Sequence, residues 1–166
     1  MNKITVITGQ RGAGKSRFCL ELLEKVLGRG LTAAGFISPA VYTMGTKTAF
    51  YTMDVRTREQ RRCGIRSIQY TGTSGCWQMD NNVLAWGNEL LRNSCPCDVL
   101  FIDELGPLEF DKGEGYTEAF PVLKSGAYGQ AYVVIRPECL ESFRRIIPEF
   151  GIIMIEDGTC ITGPRI

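Results

Sequence analysis

Ile4-Thr5-Val6-Ile7-Thr8-Gly9-Gln10-Arg11-Gly12-Ala13-Gly14-Lys15-Ser16 is the stretch on which the reading of this chain turns. Gly9 to Ser16 fit the P-loop pattern G-x-x-x-x-G-K-[ST]. Ile4-Thr5-Val6-Ile7 is short, apolar and β-branched, so it reads as a buried parallel strand. The run from Arg17 to Leu27 has helical period. A strand, a glycine loop and a helix in that order make a phosphate site. The backbone N–H groups of such a loop and the helix N-terminus converge on one spot and carry partial positive charge. Gly12 and Gly14 allow left-handed turns that a Cβ would obstruct. Lys15 is placed to reach the β- and γ-phosphates, and the Ser16 hydroxyl to ligate Mg2+. The expected nucleotide-binding set is therefore Gly9, Gln10, Arg11, Gly12, Ala13, Gly14, Lys15 and Ser16, with Arg17 beside them.

Composition narrows the partners. The 166 residues suit one domain, here 1–166, and the 44% hydrophobic and 22% charged content is that of a globular protein. A net charge of +1 gives no electrostatic ground for a nucleic-acid or membrane partner. The chain has no histidine, which excludes His-based acid–base chemistry and His metal ligands. Its seven cysteines (Cys19, Cys63, Cys76, Cys95, Cys97, Cys139, Cys160) include no C-x-x-C pair and read as reduced thiols of a cytoplasmic protein. The N-terminus runs straight into the first strand without the signature of a targeting segment. The apolar runs near Ala131 and Ile152 are too short to span a bilayer.

Further along, a helix is expected from about Ser16 to Leu27, with Cys19, Leu22, Leu23 and Val26 inward and Gly28 and Gly30 as its stop. Ala33 to Ile37 is a strand ended by Ser38-Pro39. Val41-Tyr42 and the alternating segment from Thr48 to Val55 flank a turn at Met44-Gly45-Thr46, which predicts an antiparallel hairpin. Thr57-Arg58-Glu59 reads as a second turn. Residues 64–79 show no clear period and read as a loop with a short strand near Ile65. Asp80 caps a helix from Asn81 to Ser94. Val99 to Ile102 is an apolar strand, and Asp111 to Gly115 a polar loop. Thr117 caps a helix through Lys124. Ala131 to Ile135 is a strand, Pro137 starts a helix that Pro148 ends, and Ile152 to Ile155 is the last strand. The alternation predicts an α/β fold with a largely parallel sheet covered by helices on both faces. The hairpin inserted near residues 41–55 is the one departure.

Asp98-Val99-Leu100-Phe101-Ile102-Asp103-Glu104 is an apolar strand ending in two acids, a Walker B pattern. In open α/β sheets ligands sit beyond the carboxyl ends of the strands, where Ser16 also lies. Asp103 is then placed to hold Mg2+, directly or through water, and Glu104 to orient or deprotonate the attacking water. The run Asp103-Glu104-Leu105-Gly106-Pro107-Leu108-Glu109, taken with the P-loop, Gly35-Phe36 and the hairpin with Asp54, resembles the archaeal-type nucleoside-triphosphatase family over roughly residues 3–156. The resemblance implies a RecA-like P-loop NTPase fold and Mg2+-dependent hydrolysis of nucleoside triphosphates with weak base preference. It carries onto Lys15, Ser16, Asp103 and Glu104 in these roles, and Glu109 matches the last acid of the motif. Two departures stand out. Arg17 takes the place of a small hydroxylic residue, and the segment from Thr159 to Ile166 replaces a polar tail helix.

Phosphoryl transfer needs positive charge against the γ-phosphate oxygens. Arg136 ends the strand after the Walker B acids and is the first candidate in the chain. Arg61-Arg62 and Arg144-Arg145 read as solvated faces, or as a site for a second phosphate substrate. Hydrolysis of ATP, and of GTP, CTP or UTP, leads the alternatives. A small-molecule, nucleoside or nucleotide kinase would need an acceptor pocket, and no lid motif is visible. A nucleotide-gated accessory factor, acting on a protein partner, would turn over slowly. Asn2-Lys3 is the chain's only Asn-Lys and lies ahead of the first strand, which argues against a guanine-specific switch.

Overall fold

The computed structural model describes residues 3–67 and 77–162. Along these the chain forms β1 (Ile4–Thr8), α1 (Lys15–Gly28), β2 (Ala33–Ile37), β3 (Ala40–Thr43), β4 (Thr46–Asp54), β5 (Gln60–Arg66), β6 (Trp77–Met79), α2 (Asn81–Arg92), β7 (Cys97–Leu105), α3 (Pro107–Asp111), α4 (Ala119–Ser125), β8 (Tyr128–Ile135), a 3-10 turn (Pro137–Cys139), α5 (Leu140–Ile146), β9 (Gly151–Glu156) and β10 (Thr159–Thr162). The strands join in one sheet in the order β10-β9-β1-β8-β7-β2-β4-β5-β6, with β3 against β4.

Strands β9, β1, β8, β7 and β2 are mutually parallel and make the core. β1 is hydrogen-bonded on both sides, Val6 facing Val133 on one and Ile152 on the other. Its apolar run follows from that position, because Val6 and Ile7 have neither a free edge nor a wet face. Helix α1 covers one face. Its stripe Cys19, Leu22, Leu23 and Val26 packs with Ile7, Phe101, Val134 and Ile153. The N–H groups of Arg29 and Gly30 close it by donating to the carbonyls of Val26 and Leu27. The opposite face carries residues of α2, α4 and α5, where Leu91, Leu123 and Phe143 lie against Leu100, Ile102 and Val133. Asp80 caps α2 as expected, its carboxylate accepting from the N–H groups of Asn82 and Val83.

Gly35 shows how closely the sheet is built. It sits inside β2 at φ 93°, and a Cβ there would overlap the carbonyl oxygen of Phe101 on β7. Gly35→Ala combines a forbidden backbone conformation with a steric clash against main chain. We expect it to lower unfolding free energy by more than about 3 kcal/mol, read from urea denaturation by circular dichroism. A loss under about 1 kcal/mol would mean that β2 and β7 can separate locally.

The hairpin forms as the sequence predicts, with β3 and β4 joined at Met44 and Gly45, both at positive φ (50° and 75°). It is not the one departure from parallel order. β2–β4, β4–β5, β5–β6 and β9–β10 are all antiparallel. The short strand expected near Ile65 is the end of β5, which starts earlier, at Gln60, while β6, with three residues, is too short to show alternation. β10 follows β9 through a tight turn at Asp157 and Gly158, so Ile155 does not close the last strand. Residues 68–76, where part of the expected loop and Cys76 fall, lie outside the described residues. One further expectation is corrected. Thr117 does not cap α4, which begins at Ala119 after Glu118. Pro107 to Asp111 form a short helix that the sequence leaves unassigned, Pro107 supplying the fixed φ of a first helical residue, and the expected polar loop follows it from residue 112. No helix among the described residues is long and apolar enough to cross a membrane. The six described cysteines are free thiols.

Candidate active site

All five parallel strands point their carboxyl ends at one rim of the sheet, and the sequence-predicted residues gather there. The loop after β1 turns back through Gly9, Gly12 and Gly14, all at positive φ. The Lys15 ammonium is buried and donates to the carbonyl oxygens of Gly9 (2.8 Å) and Gln10 (2.9 Å), so it braces the loop from inside. The Ala13 N–H donates to the Gln10 carbonyl, and the Gly158 N–H donates to the Ala13 carbonyl at 2.7 Å. The β9–β10 turn thus backs the loop. A Cβ on Gly14 would come within 3.0 Å of Gly158 Cα.

Asp103 lies inside β7, two residues before its end, and is 1% exposed. Its carboxylate accepts from the Ser16 hydroxyl and, at 3.1 Å, from the Ser38 N–H. The Ser38 hydroxyl in turn donates to the Asp103 carbonyl. Burial pushes the carboxyl up to about 6, and the Glu104 charge adds to this, while the Ser16 and Ser38 bonds pull it down. Glu104 points to the rim and accepts from Arg136 Nε at 2.6 Å, both side chains 29% exposed. Arg136 follows β8, next in the sheet to β7, so adjacency of parallel strands brings Glu104 and Arg136 together.

Other predicted residues go elsewhere. Arg17 turns along α1 to Glu21 at 3.0 Å, both well exposed. Arg11 is exposed on the loop. Arg61 stacks on Trp86, and Arg144 on Phe150, so one arginine of each pair is held on an aromatic ring. Asp98, at the opposite end of β7, accepts from the Thr32 N–H and hydroxyl and ties β7 to the start of β2.

Three residues beside the site have no assigned role in the sequence: Glu109 is marked there only as the last acid of the motif, and Ser38 and Lys47 are missed as site residues. Ser38, which the sequence marks only as the end of a strand, holds Asp103 on two sides. Glu109 accepts from the N–H groups of Gly106 (2.9 Å) and Tyr116 (3.0 Å). It therefore pins the segment that follows Glu104. Burial raises its carboxyl, and those N–H bonds counter the rise. Glu109→Ala leaves two buried N–H groups without a partner and is expected to cost about 2–3 kcal/mol of stability, measurable by thermal and urea melts. The third is Lys47 on β4, partly buried, whose charge is felt by Glu104 and Asp103. Burial holds its ammonium below the ordinary lysine value, against the attraction of both acids.

A loop that offers N–H groups, a buried lysine, a hydroxyl bonded to a buried carboxylate and a second carboxylate at the rim suits a polyphosphate ester. The model of a family described as NTPase matches residues 4–145. The chain belongs to this family. It is a hydrolase of nucleoside triphosphates on a P-loop α/β fold. It is 25% identical over 154 residues to the nucleoside-triphosphatase THEP1 of Methanosarcina barkeri, covering 91% of this chain and 87% of that protein. Against THEP1 of Ignicoccus hospitalis it is 32% identical over 104 residues, which is 62% of this chain and 58% of the relative. Its fold is similar to the solution structure of a human cancer-related nucleoside triphosphatase, with TM-score 0.69, 17% identity, and coverage of 91% of this chain and 87% of the other.

Proposed function

We propose that this nucleoside-triphosphatase performs Mg2+-dependent hydrolysis of ATP, and of other nucleoside triphosphates with little base preference, in the cytoplasm and within this one domain. The observation that carries the reading is the pairing of Glu104 with Arg136 beside the buried Asp103. The donor set suits a hard cation. The Ser16 hydroxyl and the Asp103 carboxylate are oxygen ligands already bonded to each other. These two residues would hold Mg2+, which supplies charge neutralisation on the phosphate oxygens when bound.

The chain's own groups do the rest. The loop N–H groups from Gly9 to Ser16 bind the phosphates, and Lys15 adds an ammonium to the β- and γ-phosphates. Glu104 accepts a proton from a water whose oxygen bonds to the γ-phosphorus. The bond from that phosphorus to the β–γ bridging oxygen breaks, and its electron pair leaves with the nucleoside diphosphate. Arg136 fixes the Glu104 carboxylate by one of its five N–H donors, and the others face charge that builds on the γ-phosphoryl group.

The test is phosphate release from ATP, GTP, CTP and UTP, with Mg2+ and with EDTA, in the absence of any acceptor. Comparable Mg2+-dependent rates with all four support the proposal. A single preferred base, or turnover in EDTA, would sink it.

A further inference from the structure

The β3–β4 hairpin is the element near the rim that the chemistry above leaves unused. Because β4 runs antiparallel to β2, with Ile37 opposite Met53, its early residues continue past the carboxyl end of β2. The Tyr51 N–H bonds the Pro39 carbonyl at 2.8 Å and Phe50 pairs with Ala40, so Lys47 stands beyond Ser38, on the side of the rim where Asp103 lies. Its ammonium sits 4.9 Å from the centre of the Phe50 ring and 5.5 Å from that of Trp77. Two ring faces thereby hold a long and otherwise mobile side chain in place. The charges it senses are those of Glu104, Asp103, Arg136 and Lys15.

The other two cations are already engaged. Lys15 donates to two loop carbonyls, and Arg136 pairs with Glu104. Among the described residues no carboxylate lies within ion-pairing distance of Lys47. A partly buried ammonium held over aromatic rings, near two carboxylates but paired with neither, is poised for an anion brought from outside. We propose that Lys47 contacts substrate: its ammonium binds the terminal phosphate of the nucleoside triphosphate from the hairpin side. This rests on the nucleotide lying in the phosphate loop as described above. Charge on the terminal phosphoryl oxygens is what the contact stabilises, so it discriminates triphosphate from diphosphate and assists turnover.

The experiment compares wild type, Lys47→Met, Lys47→Gln and Lys47→Arg. Calorimetry measures binding of ADP and of the imido-bridged, non-hydrolysable ATP analogue, both with Mg2+, and a second assay measures phosphate release from ATP. Lys47→Met and Lys47→Gln should weaken the analogue and lower kcat by about 10- to 100-fold, with ADP affinity within about twofold of wild type. Lys47→Arg should recover most of both losses, which a purely structural role would not require. Equal loss of ADP and analogue binding, or wild-type behaviour of the neutral variants, overturns the inference. A wild type that releases no phosphate from ATP while the neutral variants still lose only the analogue strikes the hydrolysis mechanism and leaves the Lys47 contact standing.

Discussion

Lys15→Ala is expected to abolish measurable phosphate release, with kcat down by at least about 10³-fold, and to weaken nucleotide binding as well. Two losses combine. The ammonium that would meet the β- and γ-phosphates disappears, and so do the bonds that brace the loop at Gly9 and Gln10. The loop then has to be ordered by the nucleotide itself, at a cost in affinity. Stopped-flow phosphate release and equilibrium titration with ADP separate the effects. A variant that binds ADP as wild type does would show that Gly158 and the loop glycines hold the loop without the lysine. One that still hydrolyses at more than a tenth of the wild-type rate would remove Lys15 from the mechanism.

Glu104→Gln should behave differently. The amide keeps the size of the side chain and an oxygen for Arg136 Nε, so the site should stay assembled and bind nucleoside triphosphate with near wild-type affinity. It cannot take a proton from water, and kcat should fall by about 10²- to 10⁴-fold. KM measured beside kcat distinguishes loss of a base from loss of binding. Normal turnover in this variant would reassign the base. A fall in affinity equal to the fall in rate would instead make the Glu104–Arg136 pair a structural clasp.

What was legible in the sequence is what is local in the sequence. The P-loop lies between its own strand and helix, and Asp103 and Glu104 end an apolar run, so spacing alone places both at one rim once the strands are parallel. Arg136 was readable by the same logic, as the residue that leaves β8. Lys47 was not readable, because its place depends on an antiparallel register between β4 and β2 that no local pattern announces. The Ser38 bonds to Asp103 span 65 positions and leave no trace in periodicity. β10 and α3 were missed for another reason. With four and five residues, each is too short to show a period at all. The free alternation seen from Thr48 to Val55 did predict β4, since a strand with two unlike faces announces itself.

The place of β1 in the sheet bears on how the protein is made. β1 is synthesised first among the strands, yet its two neighbours are β8 and β9, whose residues leave the ribosome more than a hundred positions later. The phosphate loop therefore has nothing to stand on through most of synthesis. A nascent chain that has not yet released Gly151 to Glu156 carries β1 with one edge unpaired and lacks Gly158 behind the loop. Pairing across such separations is slow and exposes apolar strand edges while it waits. Nucleotide binding accordingly appears late in synthesis, and the N-terminal strand is the segment most in need of protection from premature contacts.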